Sequence, residues 1–234
     1  MLSRAVLCPS PPLLARDLTG RADVLPELRA ACAAAVERLL AARTDLVAVI
    51  GPGDATATWN PASQPDLREY ADSAPGGTPG LPLAVGLGTM LLDEAGYEGP
   101  RELHAIGAAA TADECLALGA TLADAAPRVG LLVVGDGSAR RSVSAPGHLD
   151  ERAEPFDARV EQAFRDGDMA ALAAVDPRLA RELMASGRAA WQVLAGAAGA
   201  SARAAEPGEI LYSGAPFGVS YLVALLDTPR RVAV

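Results

Sequence analysis

The sequence predicts an α/β fold: a single three-layer domain spanning residues 1–234, with a central mostly parallel or mixed sheet and helices on both faces. Three observations predict it. Short runs rich in Val, Leu and Ile end in Gly or Pro turns, which suits strands buried on both faces. Helical patterns alternate with those runs. Half of the 234 residues are hydrophobic, enough to fill one large core and too many for a disordered chain.

The first strand is expected at Arg4–Cys8, before the prolines Pro9, Pro11 and Pro12. Leu28, Cys32, Ala35, Val36, Leu39 and Leu40 recur at helical spacing, with Asp23 and Pro26 as start signals upstream. A second strand is expected at Leu46–Ile50. The stretch Asp54–Gly80 lacks periodicity and is rich in Pro and Gly, and a loop of that length is often functional. A helix follows at Leu81–Glu94, a strand at Glu102–Ile106, a helix at Ala112–Ala125 and a strand at Val129–Val134. Beyond Asp150 the pattern turns helical, punctuated by Pro155, Asp168 and Pro177, with a long helix expected from Arg178 to about Ala198. Glu209–Tyr212 and Val219–Leu226 flank Ser213–Gly214–Ala215–Pro216, the pattern of a hairpin that makes the sheet mixed. No internal repeat divides the chain. Aromatics are only 4% of it, so Ala, Leu and Val must fill the core.

Charge and cysteine usage exclude several classes. The formal net charge is −9 and every basic residue is Arg, without a basic stripe, so a nucleic-acid partner is not expected. Cys8, Cys32 and Cys115 are scattered and odd in number, which reads as free thiols in a reducing compartment. The prolines that follow Arg4 at once are incompatible with a secretory signal. No apolar stretch approaches the roughly 20 residues needed to cross a bilayer. The expectation is a cytoplasmic protein without a membrane partner. Oligomeric state is open, a homo-oligomer included.

In sheets of this kind ligands bind beyond the carboxyl ends of the strands. Three such ends carry Cys8–Pro9–Ser10–Pro11–Pro12, Gly51–Pro52–Gly53–Asp54 and Gly135–Asp136–Gly137–Ser138–Ala139–Arg140–Arg141. A pocket is expected from Ser10, Gly53, Asp54, Asp136, Ser138 and Arg140, with Trp59 in the long loop as one wall and His148 at the rim. Ser10, Asp136, Ser138 and His148 are the catalytic candidates. Ser138 reads as a turn residue or as a nucleophile beside Asp136, although Gly-Asp-Gly-Ser is not a Gly-x-Ser-x-Gly elbow. Arg140 and Arg141 suit a carboxylate or phosphate, or plain solvation. His104, inside a strand, reads as structural. An oxygen-only cation site from Asp54, Asp136 and Glu209 is the remaining constellation.

These residues carry a resemblance. Gly135–Asp136–Gly137–Ser138, Ala145–Pro146–Gly147, Asp150 and Glu154–Pro155–Phe156–Asp157, with Cys8–Pro9–Ser10–Pro11–Pro12 before them and Ala215–Pro216–Phe217–Gly218–Val219–Ser220–Tyr221 after, resemble the catalytic, subunit-B-like domain of class III extradiol ring-cleavage dioxygenases. The resemblance covers nearly the whole chain and is nearest to an actinobacterial branch of that superfamily. It implies the same α/β scaffold, a ferrous ion held by imidazoles and a carboxylate, and oxidation of an aromatic diol. The chain departs from it at the metal. Ser10, Gly53 or a neighbour, and Ala139 stand where imidazoles are expected, and His104 and His148 are the only histidines. The resemblance therefore leads to a degenerate relative that keeps scaffold and crevice without iron, and binds a small molecule or partner or acts without metal. Two alternatives stand beside it: an iron oxidoreductase with atypical ligands, and a metal-independent hydrolase or transferase using Ser10, Asp136 or Ser138.

Overall fold

The structure is a computed structural model and describes residues 1–20, 22–68, 70, 80–200 and 206–227. In chain order the elements are β1 (Leu2–Cys8), a 3-10 turn (Pro12–Leu14), α1 (Arg16–Thr19), α2 (Pro26–Ala41), β2 (Leu46–Gly53), β3 (Ala57–Trp59), α3 (Leu83–Glu94), β4 (Arg101–Gly107) and α4 (Ala112–Ala123). They continue with β5 (Val129–Val134), α5 (Ala153–Asp166), α6 (Met169–Ala173), α7 (Pro177–Glu182), α8 (Arg188–Ala200), β6 (Glu209–Gly214) and β7 (Tyr221–Asp227).

The strands form one mixed sheet of seven in the order β3-β4-β2-β5-β1-β7-β6. β4, β2, β5 and β1 run parallel at its centre. The edges are antiparallel: β3 against β4, and the expected β6–β7 hairpin against β1. The central strands are buried on both faces, and their period of two divides them cleanly. Val6, Cys8, Val47, Val49, Leu132 and Val134 face α2 and α3, whereas Ala5, Leu7, Ala48, Ile50, Leu131 and Val133 face α4, α5 and α8. This is the three-layer α/β fold that the alternating pattern predicts.

Local signals account for several helix ends. Thr111 and Glu114 form a capping box at α4, the Thr111 hydroxyl accepting the Glu114 N–H at 3.2 Å while Glu114 accepts the Thr111 N–H at 2.8 Å. Asp176 caps α7 ahead of Pro177, and Gly167 closes α5 with φ 66°. Pro26 opens α2 as the sequence pattern predicts, but Asp23 does not cap it; its carboxylate meets Arg29 at 3.3 Å instead. Pro155 does not interrupt a helix either. It sits in the first turn of α5, where its missing N–H is not needed.

Two expectations need correction. The stretch after Asp54 contains strand β3, and Pro65 bridges Leu81; residues 69 and 71–79 of that stretch lie outside the described residues. The long helix from Arg178 is two helices, α7 and α8, parted at residues 183–187. Met184 there takes a left-handed φ of 56°. The backbone groups freed by the break are used by the loop after β5. Leu183 C=O accepts the Ala139 N–H at 3.0 Å, and the Gly187 N–H donates to Asp136 C=O at 2.9 Å. Gly135 and Gly187 make that approach feasible, because a Cβ on Gly135 would stand 2.5 Å from Gly187 Cα.

Candidate functional site

β1, β5 and β2 are neighbours, so their carboxyl ends open onto one edge of the sheet, joined there by the amino end of the antiparallel β7. The Ser10 N–H donates to Asp136 Oδ1 at 2.6 Å. The Asp136 N–H in turn donates to Ser186 Oγ at 3.1 Å. Burial pushes the Asp136 carboxyl up to about 6, against the pull of the Ser10 hydrogen bonds. The neighbouring Tyr221 phenol is pushed up by burial and by the negative charge of Asp136.

Ser186 leads to a cavity of about 220 Å³. Pro52, next to last in β2, forms one wall, Ile106 and Ala108 on either side of the last residue of β4 form the next, and α7, the break and the first turn of α8 close the rest. Its walls are mostly apolar. The charged groups on it are Arg181, exposed at the rim, and Arg188, only 4% exposed. Arg188 donates to Ala110 C=O at 2.7 Å, Ala108 C=O at 2.6 Å and Gln192 Oε1 at 3.0 Å. Gln192 is itself tied to Ala173 C=O at 2.9 Å and Val175 C=O at 3.0 Å. The loop after β4, the α6–α7 link and α8 are thus pinned around the cavity.

The residues singled out in the sequence divide into two groups. Ser10 and Asp136 are in contact, and Gly53 lies next to Pro52 on the cavity wall. Arg140 lies beside Met184, another wall residue, since a Cβ on Gly147 would stand 2.6 Å from both Arg140 Cγ and Met184 Sδ; the Arg140 Nε is buried without a hydrogen-bond partner among the described residues. The remaining residues do not face this space. Asp54 is exposed. Trp59 is on the edge strand β3, paired with Leu103 of β4, and does not line the cavity. His148 is exposed on the loop, with φ 58°.

Ser138 is fully buried and does not line the cavity. Its hydroxyl donates to Asp157 Oδ2 at 2.6 Å and its N–H to Asp157 Oδ1 at 2.8 Å, with Arg141 3.3 Å from the same carboxylate. The Gly-Asp-Gly-Ser loop is therefore anchored on both sides, by Asp136 to β1 and by Asp157 to α5. His104 is buried on β4 between Thr58 at 3.4 Å and Glu102 at 3.1 Å, a structural setting.

The donor set does not fit ferrous iron. Ser10 offers a hydroxyl in place of an imidazole, Ala139 offers no side-chain donor atom, and both histidines lie elsewhere. The oxygen-only constellation does not assemble either. Glu209 is on β6 at the far edge, 2.7 Å from Arg38, while Asp136 is at the centre of the sheet. Among the described residues no three His, Cys, Asp or Glu side chains gather as a metal site.

The sequence pattern does not single out Ser186, Arg181, Arg188 or Asp157 as site residues. The signal it does hold is Ser186–Gly187, a cap-and-breaker pair inside a stretch that otherwise reads as one helix.

The fold is similar to that of the uncharacterized protein JW3007 from Escherichia coli K12, whose crystal structure matches with a TM-score of 0.55 at 13% identity, over 97% of this chain and 100% of that one. At that identity the likeness is one of fold. No family model and no curated protein matches the chain. No helix among the described residues is long and apolar enough to cross a membrane.

Proposed function

We propose that this chain is a small-molecule-binding protein built on the scaffold of the class III extradiol dioxygenase subunit-B type, with the crevice kept and the iron chemistry gone. The observation that carries the reading is the cavity of about 220 Å³ at the carboxyl edge of the sheet, linked through Ser186 to Asp136 and Ser10. It lies where α/β sheets bind their ligands. Its walls combine apolar side chains with a few convergent polar groups, the composition of a small-molecule site. Its volume of about 220 Å³ lies below the roughly 300–1,000 Å³ of drug-sized sites, so the ligand is smaller than drug-sized. The loss of imidazoles from the loops after β1, β2 and β5 supports binding, or chemistry without metal, over ring cleavage.

A ligand-observed NMR screen with small aromatic and aliphatic fragments tests this. Fragments should bind the native protein and lose binding in Ala189→Phe, which fills the cavity from α8. If that variant fails to fold, Ala180→Leu fills it from α7. Fragments that bind both folded forms equally would place the function elsewhere, and an empty screen would overturn the reading.

A further inference from the structure

Resting on that reading, we propose that the cavity takes a small organic anion, an apolar body bearing one carboxylate that pairs with Arg188 and Arg181. Acidic residues outnumber basic ones by 29 to 20 in this chain, yet among the described residues the cavity wall carries two arginines and no Asp or Glu. Arg188 is the decisive group. A cation that is only 4% exposed is costly unless an anion compensates it, and among the described residues it meets no carboxylate.

The hydrogen bonds that Arg188 makes are to neutral oxygens. They use three of the five N–H donors of a guanidinium and hold its plane still. The fork geometry suits a carboxylate in two-point contact. Ser186 adds a further donor, because its hydroxyl oxygen accepts the Asp136 N–H and its own proton is left to give. The nearby acids are committed elsewhere. Glu182 pairs with Arg152 at 2.8 Å and Arg178 at 3.0 Å, and the Asp136 side chain turns to Ser10. Ile106, Ala108, Pro52 and Ala180 supply the apolar surface against which the body of the ligand would pack.

Calorimetric titration with benzoate and with its neutral isostere benzamide tests the proposal. Benzoate should bind the native protein roughly tenfold or more tightly than benzamide, and the margin should shrink as salt is added. Arg188→Gln should abolish the margin. Because Arg188 also ties Ala108 and Ala110 to α8, that variant is checked for folding. Arg181→Gln, at the exposed rim, should narrow the margin roughly threefold without a folding defect. Equal affinity for benzoate and benzamide would overturn the anion proposal while leaving the small-molecule reading intact. The same holds if neutral fragments bind and benzoate does not. No binding of any fragment defeats both.

Discussion

The Asp136 carboxylate accepts the Ser10 backbone N–H at 2.6 Å, joining the loops that follow two adjacent parallel strands, β1 and β5. This one bond fixes the relative height of the two strand ends from which the crevice is built. It also places an acid where burial disfavours its charge. The Asp136 carboxyl is pushed up to about 6 from an ordinary value of 3.8.

The sign of the resulting pH dependence follows from which state holds the proton longer. Between pH 4 and pH 6 the folded protein keeps the Asp136 proton and the unfolded chain releases it. The contribution is therefore complete below 3.8 and lost as pH rises through 6. Its size is at most about 3 kcal/mol, reduced by the solvent that reaches part of the residue. Asp136→Asn keeps an acceptor for the Ser10 N–H and removes the titration. Urea unfolding from pH 4 to pH 7 should show the variant gaining on the native protein up to pH 6 and then holding level. Parallel profiles for the two proteins would sink this.

Ser138 and Asp157 form the second anchor of the same loop, and the cost of breaking it is asymmetric. Ser138→Ala removes one hydroxyl from a buried carboxylate that keeps its other donors, and should cost about 1–2 kcal/mol. Asp157→Ala leaves the Ser138 N–H and hydroxyl unsatisfied and Arg141 without this partner, and should cost roughly 3 kcal/mol or more. Denaturation midpoints of the two variants check the order. The same geometry predicts that a fluorophosphonate does not label Ser138 in the folded protein.

Much of the fold is legible in the sequence because the strands that matter are continuous apolar runs. The run that predicts β5 ends where the strand does, at Val129 and Val134, and the period of two in Val47–Ile50 assigns each side chain to its layer. β3 is not legible, since three residues on an exposed edge need no apolar run. Pairing with β4, rather than local pattern, makes Ala57–Trp59 a strand. The α7–α8 break is hidden because Leu183, Met184 and Ala185 suit a helix locally. The loop after β5 competes for their backbone groups, and that competition is tertiary. For the same reason the site is half legible. Ser10, Asp136 and Arg140 on strand-end loops, and Gly53 at the end of β2, lie at positions that fold topology brings together. Arg188 and Ser186 arrive from an interruption that the helical pattern conceals.

The three cysteines are predicted to be inert in the folded state. All are buried. The Cys8 thiol is pushed well up by its hydrogen bond with Cys32 and by burial, and burial likewise raises Cys115. Iodoacetamide at pH 8 should leave the native protein unmodified on mass spectrometry and label three sites in urea. Rapid labelling of one site without denaturant would show a reactive thiol and overturn this.

The last prediction concerns the α4–α8 contact that backs the cavity wall. Gly119 and Gly196 let the two helices meet backbone to backbone. A Cβ on Gly119 would stand 2.0 Å from Val193 C=O, and one on Gly196 would stand 2.2 Å from Leu116 C=O. Neither neighbour is a flexible side chain, so the helices would have to move apart. Gly199, three residues further along α8, has nothing among the described residues within 4 Å of its Cβ position. Helix propensity favours Ala over Gly by about 1 kcal/mol at all three positions. Overpacking opposes it at two of them by about 1–3 kcal/mol. Gly199→Ala should therefore raise the melting temperature slightly, while Gly119→Ala and Gly196→Ala should lower it. Because Arg188 opens α8 and Ala189 lines the cavity, the two destabilised variants should also weaken binding of any fragment found there. If all three variants shift stability in the same direction, backbone contact between α4 and α8 does not govern the packing, and the cavity wall is set by side chains instead.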